Sequence, residues 1–212
     1  MVNLPDGGSY DVRIGTGLLD SLGDQLAAVP ALAATRRIAL ITDANVGPLY
    51  LPQVKKSLVA AGFAVSEITL PAGETTKSAE VLFELWQAFA QLKLTRADCV
   101  VALGGGVVGD ISGFAAATYM RGIPVVQVPT TLLSAVDASV GGKTAVNLPQ
   151  GKNLAGAFHQ PVYVACDLYA LATLPAQEWV CGLGEVAKTA LITDDDALFW
   201  LDANADVLKS QV

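Results

Sequence analysis

The chain is short of positive charge, of histidine and of cysteine. Thirteen lysines and arginines stand against 20 acids, a net charge of −7 over 212 residues. That balance excludes a nucleic-acid surface, which needs a basic face, and leaves anion binding to a local basic cluster. Histidine occurs once, as His159 in "AFHQP". A catalytic zinc site takes three protein ligands, often histidines, so His159 reads as structural, placed before a strand. Cys99, Cys166 and Cys181 form no C-x-x-C pair, and an odd number fits reduced thiols in a cytoplasmic protein. Charged residues make up only 16%, yet the 52% hydrophobic content excludes disorder and predicts one domain, or one domain plus a piece. Every long apolar run is broken by glycine, proline or charge, which argues against a membrane span. The opening "MVNLPDGGSYDVRIG" does not read as a signal peptide.

What is present is alternation. "SYDVRIG", "RRIALITD", "FAVSEITL", a short run at 99–103, "IPVVQVP" and "PVYVACD" read as strands. Helices are predicted at 18–29, 52–61, 78–94 (Ser78 as N-cap) and 110–120. This order implies an α/β fold: a Rossmann-like parallel sheet with helices on both faces. "AVNLPQGKN" predicts a hairpin. From 168 onward the texture turns helical, through "CGLGEVAKTALI" and "DDDALFWLDANA". The expected division is therefore an α/β domain over 1–167 and the start of a helical second domain over 168–212.

In such a sheet ligands collect at the carboxyl ends of the strands, and the unusual residues fall there. Asp43 and Asn45 follow one predicted strand, "PAGETTK" the next, "GGGVVGD" the third and "PTTLLSAVDASVGGKT" the fourth. Gly104, Gly106 and Gly109 fit G-x-G-x-x-G, but in mid-chain and without an acid some 20 positions on. Backbone N–H groups at such a turn form a nest for phosphate oxygens; a tight packing turn is the alternative. Asp110 can cap the following helix. Lys143, Lys152 and Lys188 each stand alone in apolar, glycine-rich sequence, the setting of cleft lysines that meet an anion or a carboxylate. Glu185 and Lys188 share a helix face, either as an ordinary ion pair or as a metal-binding carboxylate beside a substrate-binding lysine.

Five ordered stretches, "PAGETTK", "LGGGVVGDISGFAAATYMRG", "VPTTLLSAVDASVGGKTAVN", "GKNLAGAF" and "GLGEVAKTALI", resemble the 3-dehydroquinate synthase family, nearly end to end of this chain. The resemblance implies an NAD-dependent lyase of the shikimate pathway. Its substrate, 3-deoxy-D-arabino-heptulosonate 7-phosphate, is oxidised at C5, loses phosphate by β-elimination, is reduced again and closes to 3-dehydroquinate. It further implies NAD contacts at Gly105, Gly106, Val107 and Asp110 of the glycine turn, and at Thr130, Thr131, Lys143 and Lys152. Adenosine and ribose contacts are implied at Asp43, Asn45, Glu74 and Lys77. Asp137, Lys143, Asn153 and Lys188 are implied on the substrate side. Arg121 is implied to reach the substrate phosphate of a neighbouring subunit, hence a homodimer. Glu185 is implied as first ligand of a zinc or cobalt ion. The family's two metal-binding histidines and full helical domain have no counterpart here, so the chain is expected to be truncated and inactive in cyclisation by itself. Two other readings remain open: a metal-dependent polyol dehydrogenase, against which "SVGGKTAVN" and "MRG" speak, and a non-catalytic NAD-binding module.

Overall fold

The computed structural model describes residues 1–5, 7–193 and 195–209. Chain order begins with β1 (Val2–Asn3), β2 (Ser9–Gly15), α1 (Leu22–Ala27), β3 (Arg37–Asp43), α2 (Gly47–Ala60), β4 (Ala64–Leu70) and α3 (Ala79–Gln91). It continues with β5 (Cys99–Gly104), α4 (Gly106–Thr118), β6 (Val125–Pro129), β7 (Lys143–Leu148), β8 (Gly151–Phe158) and β9 (Tyr163–Asp167). α5 (Ala176–Thr193), α6 (Asp195–Ala203) and α7 (Ala205–Lys209) follow. The main sheet runs β1-β2-β9-β6-β5-β3-β4. Its pairings are parallel except for the short β1, which lies antiparallel on β2. β7 and β8 form the separate hairpin that "AVNLPQGKN" predicts.

Strand periodicity divides the core into two layers. Ile38 and Leu40 of β3, with Val101 and Leu103 of β5, pack with Leu22 and Leu26 of α1 and Val54 and Leu58 of α2. The intervening Ala39, Ile41, Val100 and Ala102 pack with Leu82, Leu85 and Phe89 of α3 and Val108 and Ile111 of α4. Strands buried on both faces are what a parallel sheet under two helical layers requires. Fully buried Phe89 alone contributes about 2–3 kcal/mol of apolar transfer.

This winding creates a switch point. From β3 the chain crosses by α2 to β4 at the sheet edge, then returns by α3 to β5 on the other side of β3. The connections leaving the carboxyl ends of β3 and β5 therefore diverge to opposite faces and open a crevice between them.

Several element boundaries differ from the sequence reading. The glycine-turn helix starts at Gly106, not at 110, because tertiary packing overrides glycine's poor helix propensity. Asp110 consequently lies more than a turn inside α4 and does not cap it; Gly105 is the N-cap and supplies no side-chain cap. α2 begins at Gly47 with Pro52 inside it, and the helix predicted over 18–29 is a 3-10 turn followed by the six-residue α1. Ser78 does cap α3, its Oγ accepting from Val81 N at 3.3 Å. The run expected from 168 is a 3-10 turn and then α5, α6 and α7; Asp194 and residues 210–212 of that expectation lie outside the described residues.

Candidate functional site

The glycine turn joins β5 to α4 at the crevice. The first N–H groups of α4 have no intrahelical partner, and they open onto the carboxyl end of the sheet. A Cβ on Gly106 would meet only Ala138 Cβ, at 3.4 Å, an ordinary contact. The fold therefore does not need glycine at 106, and the space above it is available to a ligand. By contrast a Cβ on Gly113 would strike Thr144 Cγ2 at 2.5 Å, so that glycine serves the packing of the hairpin on α4.

Around the turn stand the other strand ends. Asp43 Oδ1 accepts from Asn45 N at 2.8 Å and Val46 N at 2.9 Å, which fixes the entry to α2. Thr130 follows β6, its N–H donating to Gly104 O at 3.0 Å. Thr42 Oγ1 and Thr130 Oγ1 are buried without a hydrogen-bond partner. The Thr42 side chain packs against Gly47 at the start of α2, whereas Thr130 adjoins the glycine turn, and an orphaned hydroxyl beside an open helix N-terminus fits a polar, anionic ligand with hydroxyls of its own, as a dinucleotide is. Thr131 Oγ1 accepts from Ser134 N at 3.1 Å and starts a π-helical turn, Ser134–Ala138, which carries Asp137. π-turns of this kind concentrate at functional sites. Gly141 and Gly142 then take φ of 89° and 68°, left-handed values that glycine adopts freely, and deliver Lys143 to the start of β7.

The charged residues form two adjoining groups. In the first, Lys77 is nearly buried and its Nζ donates to Asp110 Oδ2 and Asn153 Oδ1. Glu74 accepts from Asn147 Nδ2 at 2.8 Å and lies 3.5 Å from Lys152 Nζ. Burial alone would raise the Glu74 carboxyl, but the Asn147 hydrogen bond and the Lys152 and Lys77 ammoniums hold it below its ordinary 4.5. Burial pushes the Asp110 carboxyl above its ordinary 3.8; Lys77 draws it back only in part, and the Glu74 carboxylate adds to the rise. In the second group Lys143 pairs with Asp137 at 3.4 Å and Lys188 pairs with Glu185. Its hydrogen bond to Glu185 raises the Lys188 pKa, with Asp137 adding.

Lys143, Lys152 and Lys188 each meet a carboxylate, as their sequence setting implies, but each is more than half exposed, whereas Lys77 is nearly buried. Asn153, expected with Lys143 on the substrate side, accepts from Lys77, whose other partner, Asp110, also feels the Lys143 ammonium. Arg121 lies beyond the far end of α4, about 20 Å of helix from the glycine turn at 1.5 Å per residue. His159 bonds the Ile123 carbonyl at 2.9 Å, as a structural histidine would. Two contributors escaped the sequence reading. Asn147 is hidden in an ordinary-looking strand, and the π-turn has no sequence signal.

The donor set does not fit a complete metal centre. Among the described residues no group of three His, Cys, Asp or Glu side chains could hold an ion, and Glu185 is a single carboxylate already paired with Lys188. No helix among the described residues is long and apolar enough to cross a membrane.

A family model described as 3-dehydroquinate synthase N-terminal matches residues 67–181. The 3-dehydroquinate synthase of Caulobacter vibrioides is 52% identical over 200 residues, covering 94% of this chain and 54% of that protein. Among solved structures, 2-epi-5-epi-valiolone synthase from Streptomyces hygroscopicus subsp. jinggangensis, with NAD+ and Zn2+ bound, matches with a TM-score of 0.84 at 34% identity, over 100% of this chain and 57% of its own. A 2-deoxy-scyllo-inosose synthase complexed with carbaglucose-6-phosphate, NAD+ and Co2+ matches with a TM-score of 0.80 at 29% identity, over 87% of this chain and 50% of its own. The chain spans about half the length of the curated relatives it matches.

Proposed function

The chain belongs to the 3-dehydroquinate synthase family, and on that premise we propose that it is the NAD-binding part of a 3-dehydroquinate synthase working in the cytoplasm. The observation that carries this reading is the glycine turn at the switch point, its helix N-terminus open and the orphaned Thr130 hydroxyl adjoining it. Gly105, Gly106 and Val107 hold the pyrophosphate on backbone N–H groups. Asp43, Asn45, Glu74 and Lys77 hold the adenosine side, with Thr130, Thr131 and Lys152 around them. When bound, NAD supplies a hydride acceptor that takes and returns hydride at the substrate's C5.

The chain's own residues bind and orient the sugar phosphate. Lys143 and Lys188 carry mobile ammoniums that can leave Asp137 and Glu185 for the phosphate oxygens. With a net charge of −7 the global field repels an anionic substrate, so this local pair of cations is what admits it. Asp137 keeps Lys143 placed until substrate arrives. Asn153 and Asp110 set the Lys77 ammonium at the boundary between cofactor and substrate. Arg121, too far to serve its own crevice, serves that of a second copy, which makes the working form a homodimer. No step is assigned to a metal, because Glu185 alone does not make a site. A metal-dependent reaction needs further ligands besides Glu185.

Calorimetric titration tests the reading. The 212-residue chain should bind NAD with one site, and should release no phosphate from the heptulosonate phosphate. Steady phosphate release by the pure chain, or failure to bind NAD, contradicts it.

A further inference from the structure

Asn147 lies where the β7–β8 hairpin loses register. Val146 pairs with Ala155 and Leu148 with Gly151, so residues 152–154 of β8 bulge opposite Asn147 alone. Bulges next to active sites re-aim side chains, and this one projects Lys152 and Asn153. Asn147 has no partner in the register of the ladder. Its side-chain carbonyl accepts from Asn153 N at 2.9 Å. The same amide donates through Nδ2 to Glu74 Oε1 at 2.8 Å, and Asn147 N donates to Lys77 O at 2.8 Å. Asn153 is held at φ 58°, a left-handed value, while its side chain accepts from Lys77 Nζ.

We propose that Asn147 is a positioning residue for the cofactor site, tying the "GETTK" turn to the bulge so that Glu74, Lys77 and Asn153 keep one arrangement. This rests on the proposed NAD site. The role needs an amide. One end must donate to a carboxylate while the other accepts from an N–H, and an apolar side chain does neither. A carboxylate keeps the acceptor, loses the donor and sets a like charge against Glu74. The groups facing Glu74 are Lys152 from β8, Lys77 from its own turn, and the Asp110 carboxylate from α4.

The test compares Asn147→Asp and Asn147→Leu with the unmutated chain, by NAD titration at pH 8 and near pH 5 and by hydrogen exchange at the Asn153 amide. At pH 8 both variants should bind NAD roughly tenfold more weakly, the loss of one hydrogen bond to a charged group. Near pH 5 two adjacent carboxylates hold a proton between them. Asn147→Asp then regains a donor, and its affinity relative to the unmutated chain should recover. Asn147→Leu should not recover. Asn153 exchange should quicken about tenfold in Asn147→Leu without any ligand, reporting the lost acceptor. Unchanged affinity in both folded variants at pH 8, an Asn147→Asp defect equal at both pH values, or unchanged Asn153 exchange overturns the inference. If the unmutated chain binds no NAD, the proposed function fails and Asn153 exchange decides the tie by itself. If Asn147→Asp does not fold, Asn147→Leu and the exchange measurement carry the decision.

Discussion

Lys77 and Asp110, 33 residues apart in the chain, meet as an ion pair in which the lysine side chain is 6% exposed and the carboxylate 18%. The pair joins the turn after β4 to the first turns of α4, across the crevice. Neither residue's position follows from its neighbours in sequence. Lys77 reads as one charge in a polar turn, and Asp110 as a helix cap. Only the return of the chain through α3 brings them together.

Removing Asp110 strands a nearly buried ammonium. Asp110→Ala should therefore cost roughly 2–4 kcal/mol of folding stability, as broken buried pairs do. The double variant Lys77→Met, Asp110→Leu should recover most of that loss while NAD binding stays impaired. Urea unfolding of the single and double variants measures both. A single variant as stable as the unmutated chain would contradict the buried pair.

The glycines of α4 should separate by role. Gly113→Ala drives a Cβ into Thr144 and should destabilise by roughly 1–3 kcal/mol, with NAD affinity per folded molecule preserved. Gly106→Ala meets only an ordinary contact with Ala138. It should fold normally and bind NAD less well. The reverse pattern in melting curves and titrations would assign the ligand to the wrong stretch of the helix.

Lys143 is 62% exposed and pairs with Asp137 at 3.4 Å. Lys143→Ala should leave stability within about 0.5 kcal/mol, as surface changes do. In a complete enzyme it should abolish turnover by loss of sugar phosphate binding, and change NAD affinity little. Loss of NAD with retained substrate binding would exchange the two roles.

Acid should weaken the fold through Asp98. Its carboxylate is 3% exposed, accepts from Thr95 N at 2.7 Å and Arg37 N at 2.9 Å, and ties the start of β3 to the loop before β5. Burial alone would raise its pKa, but those hydrogen bonds outweigh burial and hold it below the ordinary 3.8. A depressed acid contributes stability that is complete above its unfolded value and is lost as pH falls through its folded one. Asp98→Ala should cost roughly 2–4 kcal/mol at pH 7. Its unfolding free energy should also fall less steeply than the parent's below about pH 4. Parallel curves would contradict the assignment.

The layered fold was legible because β3, β5, β6 and β9 are continuous apolar runs between amphipathic helices, a pattern set by burial on two faces. Strand ends carrying the unusual residues were legible for the same reason. What was not legible depends on long-range packing. The start of α4 at Gly106 runs against local propensity, the π-turn at 134–138 is set by packing around Thr131, and the bulge at Asn147 arises between two strands. Lys77 was legible as a candidate but not as the buried partner, since a turn lysine normally stays solvated.

The central claim is that the crevice between β3 and β5 binds NAD on the glycine turn. The most direct measurement is calorimetric titration of NAD into the 212-residue chain beside a Gly106→Val variant shown to be folded by circular dichroism. One site per chain, lost in the variant because branched bulk fills the space the pyrophosphate needs, is the predicted result. No binding by the unmutated chain, or equal affinity in the folded variant, would contradict the account.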